Sequence, residues 1–379
     1  MADSRGDSRP TLSGIDMEST RSHQSAERPR VAGSPPADLL ARYRAVLGTR
    51  ELTWGTRSHD LRVLGQGGQG VVFLARRQGA DGFTLPVALK VFSPETYREA
   101  GAYEEDMARV AAVAARVATV QHENLVSIHD FVSHSGIRVM GMEWVDGYDL
   151  RQVLTLETVE RTRTSLDPAH LRYVEDVILT AGPIQPLVKP GVAIHIVRDC
   201  LAALAALHRE GITHGDIKPS NVMLKRTGAA KLVDIGSAVD VRLAGGRRVW
   251  SPLYAAPEVL EGGGVTPQSD LASLGYILIE MLAGQSPFEG VTGYTPLLEA
   301  KRTLEQRIRE LLPAEVVGSD LLVWLCRRLV AADPEKRFPD AEAADLGRKG
   351  AGAFHRQLVK GDLASEYGND LRVWLEHLG

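Results

Sequence analysis

Gly65, Gly67 and Gly70, in the stretch GQGGQGVVFLARR, have a spacing that serves two kinds of phosphate chemistry. One is a turn that opens a helix and seats a pyrophosphate on the helix N-terminus; the other is a hairpin flap that covers a triphosphate. The residues that follow separate the two. Gly70 leads into Val71, Val72, Phe73 and Leu74, a β-branched and aromatic run that favours a strand over a helix start. The loop is therefore expected to join two strands, its backbone able to approach phosphate oxygens because no side chain intervenes. The spacing alone also fits a plain tight turn, so the rest of the chain has to supply the other parts of a phosphate site.

The elements that would position such a loop can be read along the chain. From Asp60 the runs LRVL, VVFLARR and LPVALKVF are short, β-rich and bounded by Gly, Asp or Pro, the pattern of antiparallel strands. A helical stretch is expected from about Tyr103 to Val120, after which LVSIHDFVS and IRVMGMEWV return to strand character. Five strands and one helix make a small lobe over residues 60–145. Beyond Gly147 the chain reads as mostly helical to about 345, with apolar stripes in GVAIHIVRDCLAALAALHREG and SDLASLGYILIEMLAG that stop at Gly211 and Gly284. Within it, residues 155–188 read as an inserted segment carrying one helix, with Asp167 as N-cap and Pro168 in the first helical position. Residues 1–36, rich in Ser, Arg, Pro and Gly, are expected to be a disordered tail, and 37–59 a leader. Residues 346–379 form a helical tail whose Leu371, Trp374, Leu375 and Leu378 suit docking on the body or on a regulatory partner.

Composition narrows the class of molecule. A chain of 379 residues can hold two lobes and a cleft, and a net charge of −4 gives no global reason for a nucleic-acid or membrane-surface partner. Cys200 and Cys326 sit in apolar helical patterns and read as buried free thiols, with no disulfide framework or metal cluster. The N-terminus lacks an apolar core of the signal-peptide kind, and no run approaches the ~18 uninterrupted apolar residues of a membrane span. The expectation is a soluble, cytoplasmic protein.

Four motifs follow the glycine loop in a fixed order: VALK with Lys90, HGDIKPSN from His214 to Asn221, VDIG around Asp234, and YAAPE from Tyr254 to Glu258. With them the chain resembles the eukaryotic-like protein serine/threonine kinase family, from about Leu61 to Phe338. The resemblance implies an α+β, bilobal protein kinase fold with a five-stranded antiparallel N-lobe sheet plus one helix and a mostly helical C-lobe. It implies ATP and Mg2+ between the lobes, and transfer of the γ-phosphoryl group to Ser or Thr hydroxyls of proteins, the chain itself included. In that pattern Lys90, on the third strand, holds the α- and β-phosphates. Asp216 is the base that orients the acceptor hydroxyl, Lys218 reaches the γ-phosphate, and Asn221 and Asp234 supply hard oxygen ligands to the metal. GMEWVDGYDL resembles the hinge: Met142 is the gatekeeper, and Glu143 and Val145 offer main-chain hydrogen bonds to adenine. Val72, Ala88 and Met223 sandwich the ring, and Asp149 lies by the ribose. Asp270 resembles the buried aspartate that anchors the catalytic loop, and Arg337 the arginine that pairs with Glu258. Lys218, and Ser251 where threonine is usual, resemble the serine/threonine branch.

Three departures accompany the match. The helix of the small lobe has Val113 where the family has a glutamate for the strand lysine. Its acidic residues, Glu104, Glu105 and Asp106, come earlier, Asp106 about two turns or roughly 10 Å away on the same face. Either the register differs by an insertion, so that one of them takes that place, or the ion pair is missing. Gly215 stands where many regulated kinases have an arginine that meets a phosphorylated loop, which suggests activity without that phosphorylation. Ile235 replaces a phenylalanine. GGRR, residues 245–248, could meet an acidic substrate or be a solvated tip. Two rival readings stay open: a pseudokinase that binds nucleotide as a scaffold, and a small-molecule phosphotransferase, which shares the HGD loop but lacks the lysine of DIKPSN, the APE element and the DPxxRF pattern.

Overall fold

Alternation in VVFLARR sends Val71, Phe73 and Ala75 into the core of the smaller lobe and leaves Val72 toward a cleft. In the computed structural model, which describes residues 36–49, 51–54, 57–242, 250–360 and 367–378, that lobe comprises α1 (Ala37–Gly48), β1 (Glu51–Trp54), β2 (Arg57–Gly67), β3 (Gly70–Gln78), β4 (Thr84–Phe92), α2 (Ala100–Val117), β5 (Ile128–His134) and β6 (Ile137–Glu143). The strands form one antiparallel sheet in the order β1-β2-β3-β4-β6-β5. The five expected strands are all present. A sixth, β1, adds to the edge from the stretch read as a leader, so Lys90 lies on the fourth strand rather than the third. With only four residues, β1 is too short for alternation to show. The same stretch contributes α1, which buries Leu39, Tyr43 and Val46. Of the tail expected to be disordered, residues 1–35 fall outside the described residues, as do residues 245–248.

The larger lobe runs through β7 (Gly147–Asp149), α3 (Leu150–Val153), α4 (Leu156–Ser165), α5 (Pro168–Val177), β8 (Leu179–Thr180), β9 (Leu187–Val188), α6 (Pro190–Arg209), β10 (Ile212–Thr213), β11 (Val222–Lys225), β12 (Ala230–Leu232) and β13 (Val239–Asp240). It continues with α7 (Pro257–Leu260), α8 (Pro267–Ala283), α9 (Tyr294–Leu311), α10 (Ala314–Val317), α11 (Asp320–Val330), α12 (Ala341–Leu346), α13 (Ala351–Lys360) and α14 (Tyr367–His377). By length and composition α6 could cross a membrane, but most of it is buried as the central helix of this lobe, which accounts for its apolar character. The insert holds two helices and a small hairpin rather than one helix. Asp167 does cap α5, accepting from the amides of Ala169 and His170 at 2.9 and 3.1 Å, and Thr155 caps the additional α4. Both cysteines are free and buried.

The C-terminal helix packs on its own lobe. Trp374, 2% exposed, donates its indole N–H to Thr162 Oγ1 on α4 at 3.0 Å, and Tyr173 on α5 donates to Asp370 at 2.6 Å. Tyr367 lies so close to α6 that a Cβ on Gly191 would stand 2.2 Å from its ring. The insert and the tail thus form one packed unit. Trp374→Ala should lower stability by about 3–5 kcal/mol, the usual cost of removing a buried large aromatic, read as a fall in the denaturation midpoint. An unchanged midpoint would mean that α14 does not depend on this lobe.

Candidate active site

The two lobes enclose a cleft of about 1890 Å³, and every residue singled out from the sequence for nucleotide, metal or catalysis lines it. Its roof is the hairpin β2–β3. Gly65 pairs with Val72 and Gly67 with Gly70, so the glycine loop is a strand-to-strand turn and opens no helix. Gly70 has φ +144°, and a Cβ there would lie 1.9 Å from the Val91 carbonyl oxygen; only glycine lets β3 run this close to β4.

Register brings the roof residues singled out from the sequence onto the cleft. Val72 lies opposite Lys90, and Ala88 opposite Met142. Met223 lies opposite Asp149 where β11 pairs with β7, giving the lower face. The amide of Glu143 donates to the Ser127 carbonyl at 2.9 Å, so of its two main-chain groups only the carbonyl can serve a base. Its side chain turns to the Lys231 ammonium at 2.5 Å and accepts from the Ser127 amide at 2.7 Å. Burial alone would raise this carboxyl, but those two donors outweigh it and hold it below the usual range. Asp149 caps α3, its Oδ1 accepting from the Gln152 amide at 2.9 Å, and burial holds its carboxyl above the usual range.

The loop from His214 to Asn221 is fixed from below by Asp270. This carboxylate, 1% exposed, accepts from the amides of His214 at 2.8 Å and Gly215 at 2.9 Å, and lies 3.0 Å from His208 Nε2. Gly215 has φ +77°, a geometry that favours glycine and gives a local reason for the absence of arginine. Held this way, Asp216 accepts from the Lys218 ammonium at 2.6 Å and from the Ser251 amide at 3.1 Å, while Lys218 also donates to Ser251 Oγ at 3.1 Å. Asn221 donates its side-chain N–H to the Asp216 carbonyl at 2.8 Å, which orients its oxygen as the remaining polar atom. Arg337, 1% exposed, holds Glu258 with two bonds of 2.6 and 2.8 Å and donates to the carbonyls of Ala331 and Gln268.

Across the cleft, Lys90 Nζ stands 2.5 Å from Asp234 Oδ1, and the Gly236 amide donates to the same oxygen at 3.1 Å. Asp234 is left-handed, with φ 64° and ψ 74°. Ile235 is buried, so it keeps the packing role of the residue it replaces. The oxygens left on Asp234 and Asn221 are hard donors, a set that fits a magnesium ion completed by phosphate and water. No group of three or more His, Cys, Asp or Glu side chains that could hold a metal occurs among the described residues.

A match to the model of the protein kinase domain covers residues 58–345. The chain belongs to the protein kinase family. Among curated relatives, this kinase domain is 28% identical to the serine/threonine-protein kinase PrkC of Bacillus subtilis over 302 residues, 78% of this chain and 40% of that protein. It is 30% identical to the serine/threonine-protein kinase PknB of Mycobacterium tuberculosis over 301 residues, 76% of this chain and 42% of that protein. With the serine/threonine-protein kinase PknJ of Mycobacterium tuberculosis the identity is 29% over 292 residues, 74% of this chain and 43% of that protein. The chain thus spans about two fifths of the length of these relatives.

Against that family pattern, the departure in α2 is real. Val113 is buried, Asp106 accepts from Tyr97 OH at 2.5 Å and from Arg109 at 2.7 Å, and Glu104 pairs with Arg138. Among the described residues no carboxylate of α2 reaches Lys90. Two side chains of the site had no signal in the sequence. Gln69, at the tip of the glycine loop, accepts from Lys90 at 2.6 Å. Lys301, fully buried on α9, donates to the Leu253 carbonyl at 2.7 Å between the rings of Tyr276 and Phe288, each 4.1 Å away, and so pins the chain just before YAAPE. Burial drives its pKa well below the usual lysine value.

Burial would raise the Asp234 carboxyl, but the Lys90 ammonium, with a smaller contribution from Lys218, outweighs it and brings the pKa down to about 2 from 3.8. A depressed carboxyl stabilises the fold above its unfolded pKa and loses that contribution as pH falls toward the folded value. The difference in unfolding free energy between wild type and Asp234→Asn, measured in urea, should therefore be constant from pH 7 to 5 and shrink by pH 3. A difference unchanged at pH 3 would contradict the Lys90–Asp234 pairing.

Proposed function

We propose that this domain is an ATP-dependent protein serine/threonine kinase that uses Mg2+ and acts on protein hydroxyls, those of its own chain included. The observation that carries the reading is Asp216, fixed by Lys218, Ser251 and the Asp270-anchored backbone, in the same cleft as the Lys90–Asp234 pair. In the reaction an acceptor hydroxyl oxygen bonds to the γ-phosphorus while the bridging oxygen leaves with its electron pair on ADP. The hydroxyl proton passes to the Asp216 carboxylate, whose fixed position aims the oxygen at phosphorus. Lys218 neutralises charge on the transferring group, and Lys90 neutralises charge on the phosphates behind it. Bound magnesium would supply further charge neutralisation, with Asn221 and Asp234 as its protein ligands.

Ser or Thr as the acceptor is supported by Lys218 and by the names of the relatives, each a serine/threonine-protein kinase. The Arg337–Glu258 pair and the YAAPE segment pinned by Lys301 argue against a small-molecule acceptor. One observation favours the pseudokinase alternative, the missing α2 carboxylate; the intact Asp216, Asn221 and Asp234 weigh against it. Because ATP is the phosphoryl donor, we place this domain in the cytoplasm, and the packed insert and tail are the surface on which a regulatory partner would act.

Labelled phosphate from magnesium-ATP should appear on serine or threonine of a generic protein substrate. Asp216→Asn should reduce the rate about 10²–10⁴-fold, the range for losing a positioned base. Equal labelling by wild type and Asp216→Asn, or none by either, would contradict the reading.

A further inference from the structure

Lys90 must hold its ammonium still while phosphates and Asp234 compete for it, and a lysine carries four rotatable bonds with three donors at the end. In this domain the α2 carboxylate that would steady it is absent. The structure places another group there. Gln69 Oε1 accepts from Lys90 Nζ at 2.6 Å, and Gln69 Nε2 donates to Ser237 Oγ at 2.6 Å. The Gln69 backbone is itself clipped to the end of β4, its carbonyl accepting from the Ser93 amide at 2.9 Å, beside the close approach that Gly70 allows. The crowding converges on Gly236: a Cβ there would lie 2.7 Å from Gln69 Oε1, 2.7 Å from Lys90 Nζ and 3.1 Å from Asp234 Oδ1. The three polar groups therefore meet at one point, over a residue that has no side chain.

We propose that Gln69 is the positioning residue for Lys90, its amide oxygen taking over the steadying role of the missing α2 carboxylate; the inference rests on the kinase reading above. The chemistry suits the task. An amide oxygen is a strong acceptor without charge, so it orients the ammonium without cancelling its attraction for phosphate. With Gln69 and Asp234 each taking one N–H, a third remains for a phosphate oxygen. Because Gln69 also bonds Ser237, closing the glycine loop and aiming the lysine become one event, linked to the segment just after Asp234.

The test is a mutant cycle on the full chain, read by equilibrium binding of magnesium-ATP and by steady-state phosphorylation. Gln69→Met keeps the length and removes the acceptor. It should weaken nucleotide binding and lower kcat/KM for ATP by about ten-fold, the size of a lost hydrogen bond to a charged group. Gln69→Glu, which restores an acceptor oxygen but adds a negative charge beside the phosphates, should recover only part of that loss. In a Lys90→Met background, Gln69→Met should add nothing, because the residue acts through the lysine. Wild-type affinity in Gln69→Met, or the same ten-fold loss with Lys90 already removed, would overturn the proposal. The binding arm needs no turnover, so a wild type that binds nucleotide without transferring phosphate would count against the kinase reading alone, and the cycle would still decide the role of Gln69.

Discussion

Charge balance in the cleft is the constraint on which this structure rests. Asp216 and Asp234 are carboxylates in a site that must also admit a triphosphate, and anions brought together out of water repel strongly unless each is compensated. Each has its own ammonium: Lys218 at 2.6 Å and Lys90 at 2.5 Å. The first pair is local in sequence, set by a two-residue spacing. The second joins a strand of the small lobe to the segment after β12, so it also ties the lobes together across the site. Asp270 supports the first pair at one remove by taking two consecutive amides of the catalytic loop. Arg337 does the same for the segment around Glu258.

How much of this was legible depended on how far apart in the chain the partners lie. The loop from His214 to Asn221 carries its motif in eight consecutive residues, so the family resemblance could be matched to it residue by residue. The roles of Lys90, Asp234, Asp270 and Arg337 came through the same resemblance; the structure shows Asp270 and Arg337 in anchoring contacts and pairs Lys90 with Asp234 in the cleft. The hinge was matched through the same resemblance, and the Glu143 side chain there is tied to Lys231 and Ser127. What could not be read were contacts made by ordinary residue types across long separations. A glutamine between two glycines looks like turn filler, and a lysine on an amphipathic helix looks solvent-facing, yet Gln69 enters the cleft and Lys301 is wholly buried. The sheet lost its sixth strand to brevity, since four residues give no period. The insert hid α4 because LETVERTRTS is so polar that its buried stripe is only Thr158, Val159 and Thr162.

The α2 departure is where sequence and structure inform one another best. Counting back from QHENLV put Val113 at the expected glutamate and left Asp106 as a substitute. Geometry removes the substitute: Asp106 is held by Tyr97 and Arg109 within its own neighbourhood. A buried valine there packs well but cannot hold a cation, and the lysine has found an amide on the loop above it and a carboxylate below. Together with Gly215, whose backbone geometry leaves no easy place for arginine, this describes a site assembled without the two side chains that couple many family members to α2 movement and loop phosphorylation.

The most direct measurement of the charge-balance account is nucleotide affinity by calorimetry with excess magnesium and then with the metal chelated. If Asn221 and Asp234 hold a metal that offsets the phosphates beside them, ATP must bind more tightly with magnesium than without, and Asp234→Asn must narrow that difference. Equal affinity in both conditions would mean that these oxygens do not serve a metal and that the two lysines alone balance the site, contradicting the account.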